Sequence, residues 1–147
     1  MTGGAGFIGS HLVDRLVAEG HAVRVIDNLS TGHLSNLRRH LGRTSLCFFR
    51  GDITNLSILR RALGGVDVVF HEAAQVNVPR SIADPVLTNQ TNTTGTLMLL
   101  EASARSGVDR LIHASSCVVY GEQGSRPIKE GSITKSSLSP YAVSKAA

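Results

Sequence analysis

The chain has 147 residues, 41% of them apolar and 18% charged, with a formal net charge of +4. That length suits a single domain, the ordinary apolar fraction argues against a disordered chain, and no apolar run reaches the roughly 20 residues a membrane helix needs. Twelve of the 15 basic residues are arginines scattered over helix surfaces, no basic block forms, and aromatics make up only 4%, so no nucleic-acid partner is expected.

Periodicity alternates helices with short apolar strands. Phe7 to Glu19 carries apolar residues at 8, 12, 13, 16 and 17, which is helical spacing, with Gly20 as its closing residue. Ala22 to Asp27 is a β-branched run ending in an acid. Leu34 to Leu41 reads as a short helix, Ser45 to Arg50 as a strand, and Asn55 to Leu63 as a helix stopped by Gly64 and Gly65. Asp67 to His71 has a buried-strand pattern and leads into a loop through Pro79. A long helix is expected from Pro85 to Ser106, ending at Gly107, with Leu97, Leu99 and Leu100 as its core stripe. Arg110 to Ser115 is the next strand, then a polar loop with Gly121, Gly124 and Pro127, and a last helix opening near Ser139. Strands separated by helices of this length imply parallel βαβ units with both faces of the sheet covered.

Gly3, Gly6 and Gly9 are spaced G-x-x-G-x-x-G and lead straight into the first helix. A helix N-terminus presents unpaired N–H groups and positive partial charge, which suits a pyrophosphate, and glycines allow its oxygens close to the backbone. Asp27, about 18 residues on at the end of the next strand, is placed to accept hydrogen bonds from both hydroxyls of an adenine ribose, favouring NAD over its 2′-phosphorylated form. Such a loop ordinarily follows a strand at the centre of the sheet. Here only Met1 and Thr2 precede it. The expected fold is therefore α/β, a Rossmann-like doubly wound parallel sheet that is incomplete, its first strand missing and the flanking strands short of ladder partners.

Tyr141 and Lys145 stand four residues apart in SPYAVSK, which puts both on one face of a helix. A tyrosine hydroxyl has an ordinary pKa near 10 and needs a nearby cation to act as a base near neutrality; an ammonium one turn away supplies that field. Ser115 and Ser116 lie at the end of the preceding strand, where open parallel sheets bind ligands. The six histidines form no metal-ligand spacing, and His71 and His113, at strand ends, read as hydrogen-bonded packing residues. The cysteines Cys47 and Cys117 are far apart with no His or Cys at ligand spacing, so neither a disulfide nor a metal site is expected and a reduced, cytoplasmic chain fits.

TGGAGFIGSHL, VIDNLSTG, GDI, VFHEAAQ, N-x-x-GTLMLLEA, SSCVVYGE and SPYAVSK follow one another at familiar intervals over the whole chain. Together they resemble the extended short-chain dehydrogenase/reductases, and within them the NAD-dependent epimerase/dehydratase family. The resemblance implies a pyrophosphate loop of Gly3, Gly6 and Gly9 with Phe7 and Ile8 as backbone donors. It implies adenosine-ribose contacts at Asp27 and Asn28, adenine contacts at Asp52 and Ile53, and a lining of the cofactor's middle by Ala73, Ala74 and Gln75. Asn92 matches the asparagine of the family's N-V-x-G-T helix. Ser116, Tyr141 and Lys145 match the catalytic trio, Ser116 preceding Tyr141 by 25 residues as in the epimerases, and Tyr141 and Lys145 also reach the cofactor.

One departure bears on subtype. Family dehydratases usually carry Thr-Asp-Glu where this chain has Ser115-Ser116-Cys117, so the acid that protonates a leaving hydroxyl is missing. The implied reaction is epimerisation at C4 of a nucleotide sugar, a UDP-hexose first, through a 4-keto intermediate. A nucleotide-sugar dehydrogenase or decarboxylase, a non-catalytic dinucleotide-binding module and an inert fragment are the alternatives. Residues 1–147 are expected to be an NAD-binding domain truncated at both ends, without the substrate domain, and inactive alone. The parent enzyme is expected to be a homodimer whose interface includes the long helix.

Overall fold

A computed structural model describes residues 1–125, 127–132 and 139–147; positions 133–138, read above as part of the polar loop, lie outside them. The chain divides into two compact units, one formed by residues 1–73 and 96–114, the other by 74–95 and 115–147.

In the first unit, four parallel strands form two ladders. Strand β1 (Val23–Asp27) pairs with β2 (Leu46–Arg50), Val25 opposite Phe48, and β3 (Val68–His71) pairs with β4 (Arg110–His113), Val69 opposite Leu111. The two ladders meet at Thr2, which bridges to Ile26 on one side and His71 on the other, parallel to both. The order is thus β2-β1-Thr2-β3-β4, the parallel order of a doubly wound sheet, with Thr2, just before the glycine loop, between the two ladders.

Alternation along β1 sends its side chains to two cores. Val23 and Val25 join Ala5, Val13, Leu37 and Leu46 on the face covered by helix α1 (Phe7–Ala18). Ile26 joins Ile53, Leu59, Leu63, Val69 and Leu99 on the opposite face, beneath helix α2 (Leu56–Leu63) and the later helix α5 (Gly95–Arg105). Of the expected stripe on α5, only Leu99 is core; Leu97 and Leu100 are 65% and 45% exposed, because one helical face narrower than the apolar run meets the sheet. The stretch from Leu34 makes a single 3-10 turn, Leu34–Leu37, instead of a helix reaching Leu41.

The second unit is helical. Val78–Ala83 forms a short helix, α3, inside the stretch read as loop through Pro79. Asn77 explains it: its side chain accepts the Arg80 N–H at 2.8 Å, and Pro79 occupies the first turn, where no N–H is needed. Asp84 caps helix α4 (Pro85–Asn89) in the same way, at 2.9 Å to the Leu87 N–H. A π-helical turn, Gln90–Thr94, leads on to α5, so the expected long helix is present with one wide turn inside it. Ser139 caps helix α6 (Pro140–Ala146) through the Ala142 N–H at 3.1 Å. Helix α6 packs on α3, α4, the π turn and a 3-10 turn at Cys117–Tyr120. Among the described residues, no helix is long and apolar enough to cross a membrane.

Candidate cofactor and catalytic residues

The glycine loop in the first unit is shaped by contacts that only glycine permits. Gly3 has φ +66°, and a Cβ there would lie 2.6 Å from the Ala73 nitrogen and 2.8 Å from the Glu72 carbonyl carbon. A Cβ on Gly9 would strike the carbonyl oxygen of Gly3. Gly6 is the N-cap of α1 and offers no side-chain acceptor to the helix. The first helical N–H with a partner in the chain is that of Ser10, bonded to the Gly6 carbonyl at 3.0 Å. The N–H groups of Phe7, Ile8 and Gly9 therefore fall outside the helical ladder, and the first turn holds no acidic residue to neutralise them. This N-terminus fits a diphosphate. The side chains of Phe7 and Ile8 are 79% and 61% exposed.

Asp27 is buried at the end of β1, and its two carboxylate oxygens accept the N–H of Ala5 at 2.9 Å and of Leu29 at 2.8 Å. It thus ties the glycine loop to the strand end, a duty its motif position did not announce, and each oxygen keeps a lone pair for a further donor. Asn28 is exposed and donates from Nδ2 to Asp52 at 2.7 Å. Asp52 also accepts from the Thr54 N–H and hydroxyl, both at 2.9 Å. Partial burial pushes its carboxyl up, but these three hydrogen bonds outweigh it and hold the pKa below the usual 3.8. Ile53 is buried in the second core. Ala73 donates its N–H to the Thr2 hydroxyl at 3.2 Å. Of the expected ribose and adenine residues, Asn28 and Asp52 are joined by a hydrogen bond, while Asp27, at the end of β1, bonds separately to Ala5 and Leu29.

His71 was expected to be a packing residue, and it is one. It is 1% exposed, with Nδ1 2.7 Å from the Thr2 hydroxyl and Nε2 2.8 Å from that of Thr96. The exposed His113 ring lies with its centre 5.0 Å from that of His71.

In the second unit, Asn92 is the hub. It lies in the π turn, 4% exposed, and its side chain accepts the Gln75 N–H at 2.7 Å while donating to the Gln75 carbonyl at 3.0 Å and the Ser144 hydroxyl at 2.9 Å. The widened turn brings the short amide side chain to both partners at once. Ser144 in turn donates to the Tyr141 carbonyl at 2.8 Å, and Ser81 accepts the Tyr141 N–H at 3.2 Å. Helix α6 is therefore gripped at Tyr141 and Ser144 from two sides. Tyr141 is buried, Lys145 half-buried one turn later. Ser116 is half-buried and caps the Cys117–Tyr120 turn, which packs against α6. Sequence reasoning named Ser116, Tyr141, Lys145, Asn92, Ala74 and Gln75, and all lie in this unit; it missed Ser81 and Ser144, serines with no distinguishing pattern, and Thr2.

The model of the NAD dependent epimerase/dehydratase family matches residues 1–147. The chain belongs to this family. The UDP-glucose 4-epimerase of Neisseria meningitidis serogroup C is 40% identical over 149 aligned positions, covering 99% of the chain and 44% of that protein. The UDP-glucuronic acid decarboxylase 1 of Danio rerio is 37% identical over 130 positions, 88% of the chain and 30% of that protein. Two solved structures superimpose closely. The dTDP-glucose 4,6-dehydratase of Streptomyces venezuelae with NAD bound has a TM-score of 0.92 at 41% identity, covering 99% of the chain and 47% of its own. The UDP-glucose 4-epimerase of Thermus thermophilus with NAD has 0.88 at 42%, covering 99% and 46%. The chain thus spans about half the length of these relatives, and the family's nucleotide cofactor is NAD.

Proposed function

We propose that this chain supplies the NAD-binding and proton-transferring part of a nucleotide-sugar C4 epimerase. The observation that carries the reading is chemical: from Ala114 to Tyr120, around Ser116 on the turn against α6, there is no carboxyl group. A 4,6-dehydration must protonate a departing hydroxyl, and the position beside Ser116 offers only the exposed Cys117, a weak donor.

The backbone N–H groups of Phe7, Ile8 and Gly9 would hold the diphosphate of NAD, Asp27 its adenine ribose, and Asp52, Asn28 and Ile53 the region of the adenine. Ala73, Ala74 and Gln75 would line its middle. When bound, NAD accepts a hydride from the sugar carbon and returns it. The phenolate oxygen of Tyr141 would take the proton of the sugar C4 hydroxyl, becoming the phenol, and give it back after the keto sugar has turned over. Ser116 hydrogen-bonds the same oxygen, and Lys145 sets a positive charge on the Tyr141 face of α6. A UDP-hexose is the substrate this reading names, and a homodimer the assembly, with the exposed Leu97 and Leu100 of α5 on the contacting helix.

The test replaces the matching stretch of the N. meningitidis epimerase with residues 1–147 and assays interconversion of UDP-glucose and its C4 epimer. Turnover that disappears with Tyr141→Phe, and no release of a 4-keto-6-deoxy sugar, is the expected result. Accumulation of the 4-keto-6-deoxy product would overturn the epimerase reading.

A further inference from the structure

Glycines let the loop before α1 approach a ligand closely, but they also leave its backbone free to move, so what holds the loop must come from elsewhere in the chain. Much of that hold falls on Ala5, which is completely buried. Its N–H donates to Asp27 Oδ2 at 2.9 Å. Its carbonyl oxygen accepts twice, from the His33 N–H at 3.0 Å and from Nδ2 of Asn36 at 2.8 Å. Both lone pairs of that oxygen are thus engaged, and all three partners belong to residues 27–36.

This segment is shaped to reach Ala5. After β1 ends at Asp27, Leu29 takes φ +60°, in the left-handed region that non-glycine residues rarely enter. That turn lets Asp27 Oδ1 accept the Leu29 N–H at 2.8 Å while the other carboxylate oxygen holds Ala5. Gly32 passes so close that a Cβ on it would lie 3.0 Å from both the Ala5 carbonyl carbon and Asp27 Oδ1. The 3-10 turn Leu34–Leu37 follows, with the Asn36 N–H on the His33 carbonyl at 2.9 Å. Leu37 is fully buried in the same core as Ala5 and Val13, which anchors the turn and brings the otherwise exposed Asn36 to the Ala5 carbonyl.

The Ala5 carbonyl belongs to the planar peptide that joins Ala5 to Gly6. The other side of that plane is fixed as well, since the Gly6 N–H donates to the Gly3 carbonyl at 3.1 Å. Only the φ and ψ of Gly6, −74° and 177°, then separate the pinned plane from the peptide that carries the Phe7 N–H. The direction in which α1 starts, and the aim of the Phe7, Ile8 and Gly9 N–H groups, therefore depends on how firmly the Ala5 carbonyl is held. His33 holds it with a backbone N–H that any residue but proline supplies. Asn36 holds it with a side-chain amide, which only its residue type provides.

We propose that Asn36 is a positioning residue for the cofactor diphosphate, acting through the Ala5 carbonyl to fix the start of α1. The inference rests on the reading that the N-terminus of α1 takes the diphosphate of NAD. Without the Asn36 amide, the Ala5 carbonyl keeps its bond to His33, so no buried group is stranded and the fold loses little stability. What is lost is preorganisation of the loop, which weakens a phosphate-bearing ligand and spares one that fills only the adenosine end.

The experiment compares the 147-residue chain with its Asn36→Leu variant, which keeps the side-chain volume without an N–H or a charge. In the absence of ligand, NMR must show the Ala5 carbonyl carbon displaced to lower frequency. Exchange at the Gly6 amide must quicken at least about tenfold, while the Leu59 amide within α2, bonded to the Asn55 carbonyl at 3.1 Å, keeps its rate. Tm must fall by no more than about 4 °C. In NMR titrations the variant must bind ADP about fivefold to tenfold more weakly, with adenosine within about twofold of wild type. Asn36→Gln, which retains an amide donor, must bind ADP more tightly than Asn36→Leu. Unchanged ADP affinity overturns the proposal, as does an equal loss for adenosine, which would make Asn36 a residue of the fold at large. A wild-type chain that binds no ADP overturns the diphosphate reading beneath it. Unchanged Gly6 exchange and Ala5 shift, with ADP still bound by wild type, overturn the part given to Asn36 alone.

Discussion

Asn92→Ala tests the claim that a buried amide hub holds the helix carrying Tyr141 and Lys145. The wild-type side chain accepts from the Gln75 N–H at 2.7 Å and donates to the Gln75 carbonyl and the Ser144 hydroxyl at 3.0 and 2.9 Å. Alanine removes all three. Ser144 keeps its bond to the Tyr141 carbonyl, but Gln75, 8% exposed, is left with a peptide N–H and a carbonyl shut away from water. A neutral hydrogen bond contributes about 1 kcal/mol net, and a stranded buried group costs about 1–3 kcal/mol, so the loss should be roughly 3 kcal/mol. At about 2–4 °C per kcal/mol for a chain of this size, Tm falls by about 6–12 °C. Thermal and urea unfolding measure the loss, and hydrogen exchange at the Gln75 amide localises it. Asn92→Asp keeps the acceptor but sets a carboxylate against the Gln75 carbonyl, and should be no milder. A loss under about 1 kcal/mol with unchanged exchange at Gln75 would refute the reasoning, since the three bonds would then be replaceable.

Three further outcomes follow from the first unit. Gly3→Ala should cost about 3 kcal/mol, against about 1 kcal/mol for Gly20→Ala, because both sit at positive φ but only Gly3 would drive a Cβ into the backbone at Ala73, while Gly20 has nothing within 4 Å; equal losses in urea unfolding would remove the steric argument. Asp27→Asn should weaken NAD binding roughly tenfold by calorimetry and narrow the preference over the 2′-phosphorylated cofactor, while lowering Tm through the Ala5 and Leu29 contacts; an unchanged affinity ratio would take the ribose role away from Asp27. The carboxyl of Asp52 should titrate below 3.8 in carbon NMR, and Asn28→Ala or Thr54→Val should move it upward. Since its folded pKa is the lower one, its stabilising contribution is present above the unfolded pKa and lost as pH falls through the folded value; titration curves identical in all three proteins would show that these bonds do not set it.

Much of the first unit was legible because short-range patterns decide it. The β-branched runs at Val23–Asp27 and Val68–His71 and the glycine spacing before α1 each specify local backbone. The α3 helix was equally local, since Asn77 and Pro79 form a start signal that reading through Pro79 as loop passed over. Leu97 and Leu100 were misplaced for a different reason. A helix's apolar count does not say which residues face the sheet, and only the packing of α5 buries Leu99 and leaves the other two outside.

The sequence alone determined a parallel α/β fold and a glycine-rich turn opening the first helix, because residue type, spacing and period are properties of neighbours along the chain; the grouping of Ser116, Tyr141 and Lys145 rests on the family resemblance. Only the tertiary structure decided how these parts are held: Thr2 ties two ladders together, Asp27 fastens the glycine loop to β1, and Asn92 and Ser81 hold α6. Each of these joins residues tens of positions apart, and such a bond exists only once the backbone has brought its two groups within about 3 Å.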